Sequence, residues 1–454
     1  MTADGGDGPP LSPADALDAL ALRLREMADG KRETLEPAWL DALRWLWRSP
    51  AWHMRLRSVL DALEPQRRDR LPPELTRRIF TQDKVSITRL ERFAACPYQH
   101  YVDYGLKPVE REEFAFDAGD AGDFYHAALQ GFAHVAMEHP AWPDLPEETV
   151  ERLMDGVLAP LTALWEEGPL SDTPAQRLQG ERYIRTARRA AWLFTRHAQR
   201  SRFTTIGEEV VFGEEGGLPP VVLTLHDGRR IALRGKIDRI DRWEGDSGVY
   251  LRVIDYKSSQ REIDPTRLWY GLQLQLMLYL QAASQGMQGE AAGAFYFTVK
   301  DPMVSAEDAK EAVERELAKA LRLHGVVLAD AEVVQAMDTA DGYSLGKVFN
   351  RDGSLSNGAP AYTPEEMQQL LRHTQEMAAT LADGIREGDV SVSPAEVESW
   401  SACQWCSYAA ICGFDPASPS CSKRVLPQLK RQELLTLLAN DTPEGTEKAP
   451  ENGA

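Results

Sequence analysis

Three cysteines crowd into ten residues near one end of this chain, Cys403, Cys406 and Cys412 in a C-x2-C-x5-C pattern. A fourth, Cys96 in AACPYQHY, lies about 300 residues upstream. Five cysteines in 454 residues do not make a disulfide framework, which belongs to short secreted domains. Thiols clustered in this way point instead to metal or redox chemistry in a reducing compartment. Four thiolates suit either Zn²⁺ or an iron–sulfur cluster. A structural zinc site usually repeats a C-x2-C knuckle nearby, and none is present. Ligands drawn from both ends would close one domain end to end and constrain a very long loop. The fifth cysteine, Cys421, reads as an ordinary thiol.

The chain is long enough, at 43% hydrophobic residues, to bury one large core and carry a smaller appendage. Residues 1–12 and 441–454 are rich in Gly, Pro, Asp and Glu and are expected to be disordered. Residues 13–80 show helical periodicity with many Arg and Trp. A domain is expected over 81–425, followed by a helix at 426–440. Within it, SITRLERFAACPYQHYVDYGL predicts a helix with Ser86 as N-cap, and 122–138 and 176–203 predict two more. From 208 the pattern changes to strands in EEVVFGE, PPVVLTLHDGRRIALRGKIDRIDRW and VYLRVIDYKSS, with a hairpin turn at Asp227-Gly228. Residues 266–284 return to helix and AAGAFYFTVK to strand. From 305 onward the pattern is mostly helical, with a Gly- and Asn-rich loop near 340–360. This order predicts a mixed α/β domain, a central sheet flanked by helices. No stretch is apolar enough to cross a membrane and the start has no signal architecture, so a soluble, cytoplasmic protein is expected.

Alternation along VIDYKSS places Asp255 and Lys257 on one face of a strand. Asp238 in RGKIDRID lies on the neighbouring strand. Two carboxylates from adjacent strands can hold Mg²⁺, a cation that takes hard oxygen ligands and keeps waters for substrate phosphates. Bound there, it lowers the pKa of a water and offsets charge on a phosphoryl transition state. Lys257 can orient that water or stabilise the developing charge. Taken alone, the pattern also describes a cross-strand ion pair on a solvated sheet. On the next helix Leu268, Leu272, Gln275 and Tyr279 share one stripe, so Gln275 reaches toward the lysine or a phosphate unless it is simply a core polar pair. In GDFYHAAL, Gly122 precedes His126 by four residues. Beside two acidic ligands this histidine suits a third metal position.

The net charge of −19 opposes binding to nucleic acid, which needs basic groups against phosphates. Arg182, Arg185, Arg189, Arg196 and Arg200 fall on one stripe of a predicted helix. They either track a phosphate backbone or form a solvated face making ion pairs within an acidic protein.

Together these motifs resemble the C-terminal nuclease domain of AddB-type subunits of bacterial helicase–nucleases, and more distantly RecB nuclease domains. The resemblance runs from about 80 to 425 and is carried by SITRLERFAACPYQHYVDYGL, Gly122 to His126, GKIDRID, VIDYKSS, Gln275 to Tyr279 and CQWCSYAAIC. It implies a PD-(D/E)XK, restriction-endonuclease-like core. It further implies His126, Asp238, Asp255 and the backbone of Tyr256 as Mg²⁺ ligands, with Lys257 as the catalytic lysine. Gln275 and Tyr279 would belong to the same site. A Glu is expected on the strand before the hairpin, with Glu209 chosen and Glu208 kept open. Cys96, Cys403, Cys406 and Cys412 would hold a 4Fe-4S cluster. The expected activity is Mg²⁺-dependent exonucleolytic degradation of DNA, with single-stranded ends as substrate, in double-strand break repair and recombination, beside an AddA-type helicase.

Full-length proteins of that kind are much longer, with an ATPase-like region in front. No G-x4-G-K-S/T phosphate loop occurs in this sequence, so a separated nuclease domain or a stand-alone relative is expected rather than a motor. Two other readings compete: a catalytically idle iron–sulfur docking module, and a zinc-stabilised RNA-processing factor. The first has no use for His126, Asp238, Asp255, Lys257 and Gln275 together.

Overall fold

The computed structural model describes residues 9, 12–63, 69–80, 83–109, 116, 118–165, 170, 173–302, 310–339, 342–416 and 421–440. The expected disorder of 441–454 and of nearly all of 1–12 lies outside these residues. Three helices open the chain, α1 (Pro13–Ala28), α2 (Pro37–Arg48) and α3 (His53–Leu63). Proline at the first turn of α1 and α2 supplies a helical φ where no N–H is needed. They pack around their own apolar cluster of Leu17, Leu20, Leu35, Trp39, Leu46 and Leu56. The short α4 (Pro73–Ile79) leads to strand β1 (Lys84–Ser86).

The single helix expected from Ser86 is interrupted. It becomes α5 (Ile87–Ala95), then Cys96 in an extended conformation, then α6 (Pro97–Tyr101) and a π-turn at Val102–Leu106. Pro97 explains the break, because its ring disfavours helical φ/ψ at the residue before it. Cys96 is thereby turned out of the helix axis. Three long helices follow: α7 (Ala118–Met137), α8 (Glu147–Thr162) and α9 (Pro174–Gln199).

The sheet then forms from β2 (Thr204–Phe212), β3 (Val222–Thr224), β4 (Arg230–Gly245) and β5 (Gly248–Lys257). A turn joins β3 to β4, with Gly228 at φ +80°, as Asp227-Gly228 predicts. After α10 (Pro265–Trp269) and α11 (Gln275–Met287), β6 (Glu290–Thr298) runs parallel to β5. Gly271, at φ +76°, separates the two helices that the sequence reads as one. Beyond α12 (Lys310–Ala320) the mostly helical expectation needs correction. The buried β7 (His324–Leu328) and, after α13 (Ala331–Met337) and the expected loop, β8 (Ala361–Tyr362) extend the sheet. Five and two residues are too short for alternation to announce them. The order is β1-β4-β5-β6-β7-β8, with β2 and β3 also paired to β4. Helix α14 (Pro364–Arg386), started by a Thr363/Glu366 capping box, packs with α11 on the sheet.

A second sheet of β9 (Ala395–Val397), β10 (Trp400–Ser401) and β11 (Arg424–Val425) frames the cysteine loop and α15 (Ala409–Cys412), and α16 (Arg431–Asn440) packs back on α14. No described helix is long and apolar enough to cross a membrane.

Beneath the sheet lies a buried charge cluster. Asp241 on β4 accepts hydrogen bonds from Arg239 (2.6 and 2.9 Å), Arg252 on β5 (2.8 Å) and the Thr205 hydroxyl on β2 (2.8 Å). Burial works to raise the Asp241 pKa, but Arg239 and Arg252 hold it below the ordinary value. Its stabilising contribution is therefore complete at neutral pH and lost only as pH falls through that depressed pKa. Because Arg252 and Thr205 reach Asp241 from the strands on either side of β4, a one-residue slip would leave charges buried and unpaired. Asp241→Asn is expected to cost about 3–5 kcal/mol at pH 7, measured by urea unfolding. A loss below about 1 kcal/mol would show that the cluster does not hold the register.

Candidate metal centre

The β4–β5 pairing sets Arg239 opposite Ile254. Continued by one residue, the same register places Asp238 opposite Asp255. The β2–β4 pairing joins Glu208 to Arg239 and Val210 to Ile237, so Glu209 sits opposite Asp238. Three carboxylates thus form a row across three neighbouring strands. Asp238 and Asp255 are 7% and 1% exposed, and Asp238 Oδ2 accepts the Tyr256 N–H at 2.8 Å. Lys257 Nζ lies 2.5 Å from Asp255 Oδ2. Glu209 has φ +51°, a left-handed conformation that is strained for a residue with a Cβ. It pairs with Lys236. Glu208 belongs to another environment, near Arg239 and Asp241, where burial pushes its carboxyl up to about 7.

Helix α7 brings His126 over this row. Its Nδ1 is 3.5 Å from Asp238 Oδ2 and 4.0 Å from Glu209 Oε1, and its Nε2 is 3.0 Å from the Tyr256 carbonyl. Donor atoms of His126, Glu209 and Asp238 all lie within 4.8 Å of one another. From α11, Gln275 donates to the Tyr279 hydroxyl at 3.0 Å. A Cβ on Gly235 would come within 2.7 Å of Phe212 and 3.2 Å of Tyr279, so glycine there lets Tyr279 approach the sheet. These groups line an open cleft of ≈ 580 Å³, with Arg234, Lys236, Ser86 and Thr88 on its rim.

The electrostatics fit a cation. Burial, then the neighbouring Asp255 carboxylate, pushes Asp238 up to about 7. Burial also lowers the His126 pKa, with Lys257 acting in the same direction against Asp255 and Glu209. The raised Asp238 carboxyl and the lowered His126 imidazole, beside Glu209 and Asp255, make a donor set that a hard divalent ion would satisfy.

Cys96, Cys403, Cys406, Cys412 and Cys421 form no disulfide. Burial raises the Cys96 thiol pKa, opposed by the N–H groups of Gln99, Tyr98 and Ser393, and Cys403 is close enough to act on it. Cys403 in turn feels Cys406 and Cys412. The Phe414 N–H points at Cys412 Sγ from 3.4 Å. The distant cysteine thus lies within charge-interaction range of Cys403, the first of the trio. Cys421 Sγ lies 4.0 Å from the Gly413 carbonyl, beside this cluster.

The arginine stripe is largely occupied within the fold. Arg185 and Arg189 reach Asp301 at 3.1 and 3.9 Å, Arg196 lies over Trp192 and bonds Gln199, and Arg200 lies over Tyr343. Arg182 stands on the same helix, its carbonyl bonded by Thr186. The ion-pair alternative thus describes Arg185 and Arg189. The cations on the rim of the cleft are Arg234 and Lys236, which the sequence reading passed over. Alternation along RIALRGKID already puts both on the face of Asp238.

Compared with known protein families, residues 84–413 match the PD-(D/E)XK nuclease superfamily. The chain belongs to this superfamily. Residues 11–62 match the fifth domain of ATP-dependent helicase/deoxyribonuclease AddB. Two relatives carry the name of the B-type polypeptide of an ATP-dependent helicase/deoxyribonuclease. That of Alkaliphilus oremlandii is 31% identical over 437 residues, covering 93% of this chain and 38% of the relative. That of Pelotomaculum thermopropionicum is 35% identical over 420 residues, covering 89% and 36%. The chain thus spans well under half the length of the relatives it matches. For this PD-(D/E)XK chain, the strained Glu209 rather than Glu208 faces the cleft. Glu209→Gln is expected to weaken Mg²⁺ or Mn²⁺ binding about tenfold or more, measured by isothermal titration, with Glu208→Gln close to the parent. Equal effects of the two would remove Glu209 from the centre.

Proposed function

We propose that this chain is the nuclease portion of an AddB-type protein, a Mg²⁺-dependent deoxyribonuclease acting on single-stranded DNA ends in double-strand break repair and recombination. The observation that carries this reading is the convergence, in one open cleft, of His126 from α7 with Asp238 from β4 and Asp255 and Lys257 from β5. His126, Asp238 and Glu209, whose donor atoms lie within 4.8 Å of one another, would hold the ion together with Asp255 and the Tyr256 carbonyl. When bound, Mg²⁺ supplies Lewis acidity and a water of lowered pKa. Lys257, fixed by Asp255, presents its ammonium where a phosphate gains negative charge during hydrolysis. Gln275 and Tyr279 share a hydrogen bond and together orient that phosphate. Arg234, paired with Glu214 at 3.2 Å, and Lys236, paired with Glu209, bring basic groups to the cleft, where a phosphate would compete with those carboxylates for them.

The four cysteines hold a 4Fe-4S cluster in this reading. Cys96 is close enough to feel Cys403, and Cys403 to feel Cys406 and Cys412, which supports one site shared by the four thiols. The relatives are named as one component of a helicase/deoxyribonuclease, which supports an AddA-type motor as partner, and a cytoplasmic setting follows from that work.

Asp255→Asn and Lys257→Ala are each expected to lower cleavage of end-labelled single-stranded DNA at least 100-fold or so, with thermal unfolding near that of the parent. Normal turnover by either variant would refute the centre.

A further inference from the structure

Helix α11 carries Gln275 and Tyr279 into the cleft, yet its N-cap residue is Leu274, which has no side-chain group to cap it. The cap comes from elsewhere in the chain. Glu91, in the middle of α5, accepts the N–H of Leu274 at 2.7 Å and of Gln275 at 2.9 Å through one carboxylate oxygen. These are the first free donors of α11, where partial positive charge gathers. The contact bridges more than 180 residues of sequence.

The rest of α5 is held by the cysteine loop. Cys96 follows its last residue, and the Ala94 carbonyl accepts from Arg424 of β11. Arg92 pairs with Asp103 at 3.2 Å, and Asp103 accepts the Tyr408 hydroxyl at 2.6 Å from within the loop between Cys406 and Cys412. At the other end of α5, Ser86, Ile87 and Thr88 line the cleft. One helix therefore touches the clasp at its C-terminus, the substrate cleft at its N-terminus and the catalytic helix at its centre. Glu91 lies five residues, about 7.5 Å of helix, from Cys96.

We infer that Glu91 is a positioning residue: it sets the start of α11, and with it Gln275 and Tyr279, against the Lys257–Asp255 pair, so that the cleft is aligned through the helix the cysteines anchor. This rests on the nuclease reading above. Glu91→Gln keeps an oxygen for the two N–H donors, whereas Glu91→Ala removes the cap. Burial pushes the Glu91 carboxyl up to about 7, so near neutral pH the site accepts the uncharged form as well as the charged one, and a carboxamide is the conservative replacement.

The test compares both variants of the whole chain, purified without oxygen, by steady-state cleavage of labelled single-stranded DNA, iron content and amide hydrogen exchange over 272–279. Glu91→Ala is expected to lower kcat roughly 10- to 100-fold, with KM within about twofold, iron unchanged and exchange at 274–275 accelerated. Glu91→Gln should restore both turnover and protection. A Glu91→Ala variant with full kcat, one that loses iron, or a Glu91→Gln variant as slow as Glu91→Ala would each overturn the inference. Failure is separable from failure of the nuclease reading. If the parent does not cleave DNA the reading falls, whereas unaltered exchange at 274–275 in Glu91→Ala defeats the cap alone.

Discussion

The pairing of β4 with β5 governs the molecule, and it is fixed by charge as much as by apolar burial. On one face of the pair, Asp241 is held between Arg239 and Arg252 with no solvent to screen it. On the other, Asp238 faces Asp255 and accepts the Tyr256 N–H. The two faces are linked by the pleat: the register that satisfies the buried cluster is the one that aligns the carboxylates. A strand of apolar residues alone could slide by two positions with modest loss, but a strand bearing Asp238, Arg239 and Asp241 cannot. A demanding buried cluster thus holds the strained and mutually repelling groups that a metal centre requires.

The cysteines act at the scale of the whole domain. Tyr98 on α6 bonds the Ser391 carbonyl and the Ile411 carbonyl, so the segment around Cys96 is stitched to the C-terminal loop by backbone and side chain as well as by sulfur proximity. A cluster shared between these segments would close most of the nuclease into one loop. Helix α5 joins Cys96 to Glu91 and to Thr88 at the cleft, so a displacement at Cys96 would be felt there.

Much of this was legible in the sequence, for identifiable reasons. Period-two alternation put Asp255 with Lys257, and the helical stripe put Gln275 with Tyr279. These side chains do share a cleft. The Asp227-Gly228 turn and the mixed α/β order likewise followed from local chemistry. Pro97 could have split the long N-terminal helix in advance, since the constraint on the preceding residue is local. The strands at 324–328 and 361–362 could not be found by pattern, being short and placed between helices. Nothing in the sequence marks Arg239, Asp241 and Arg252 as a buried cluster, because a sequence does not show that β4 and β5 will bring them together or that the arginines will lie over Phe194 and Phe203. Glu91 was invisible for the same reason: its partners are two backbone N–H groups far along the chain. What the sequence hides is mainly tertiary pairing of polar groups, which carries no period.

The central claim is that one cleft binds a divalent ion while the four cysteines bind iron. Crystals of oxygen-free protein grown with Mn²⁺ would test both through anomalous scattering measured at the manganese, iron and zinc edges. The expected maps show manganese among His126, Asp238 and Asp255, and iron among Cys96, Cys403, Cys406 and Cys412. A cleft without manganese, or zinc at the cysteines, would contradict the account.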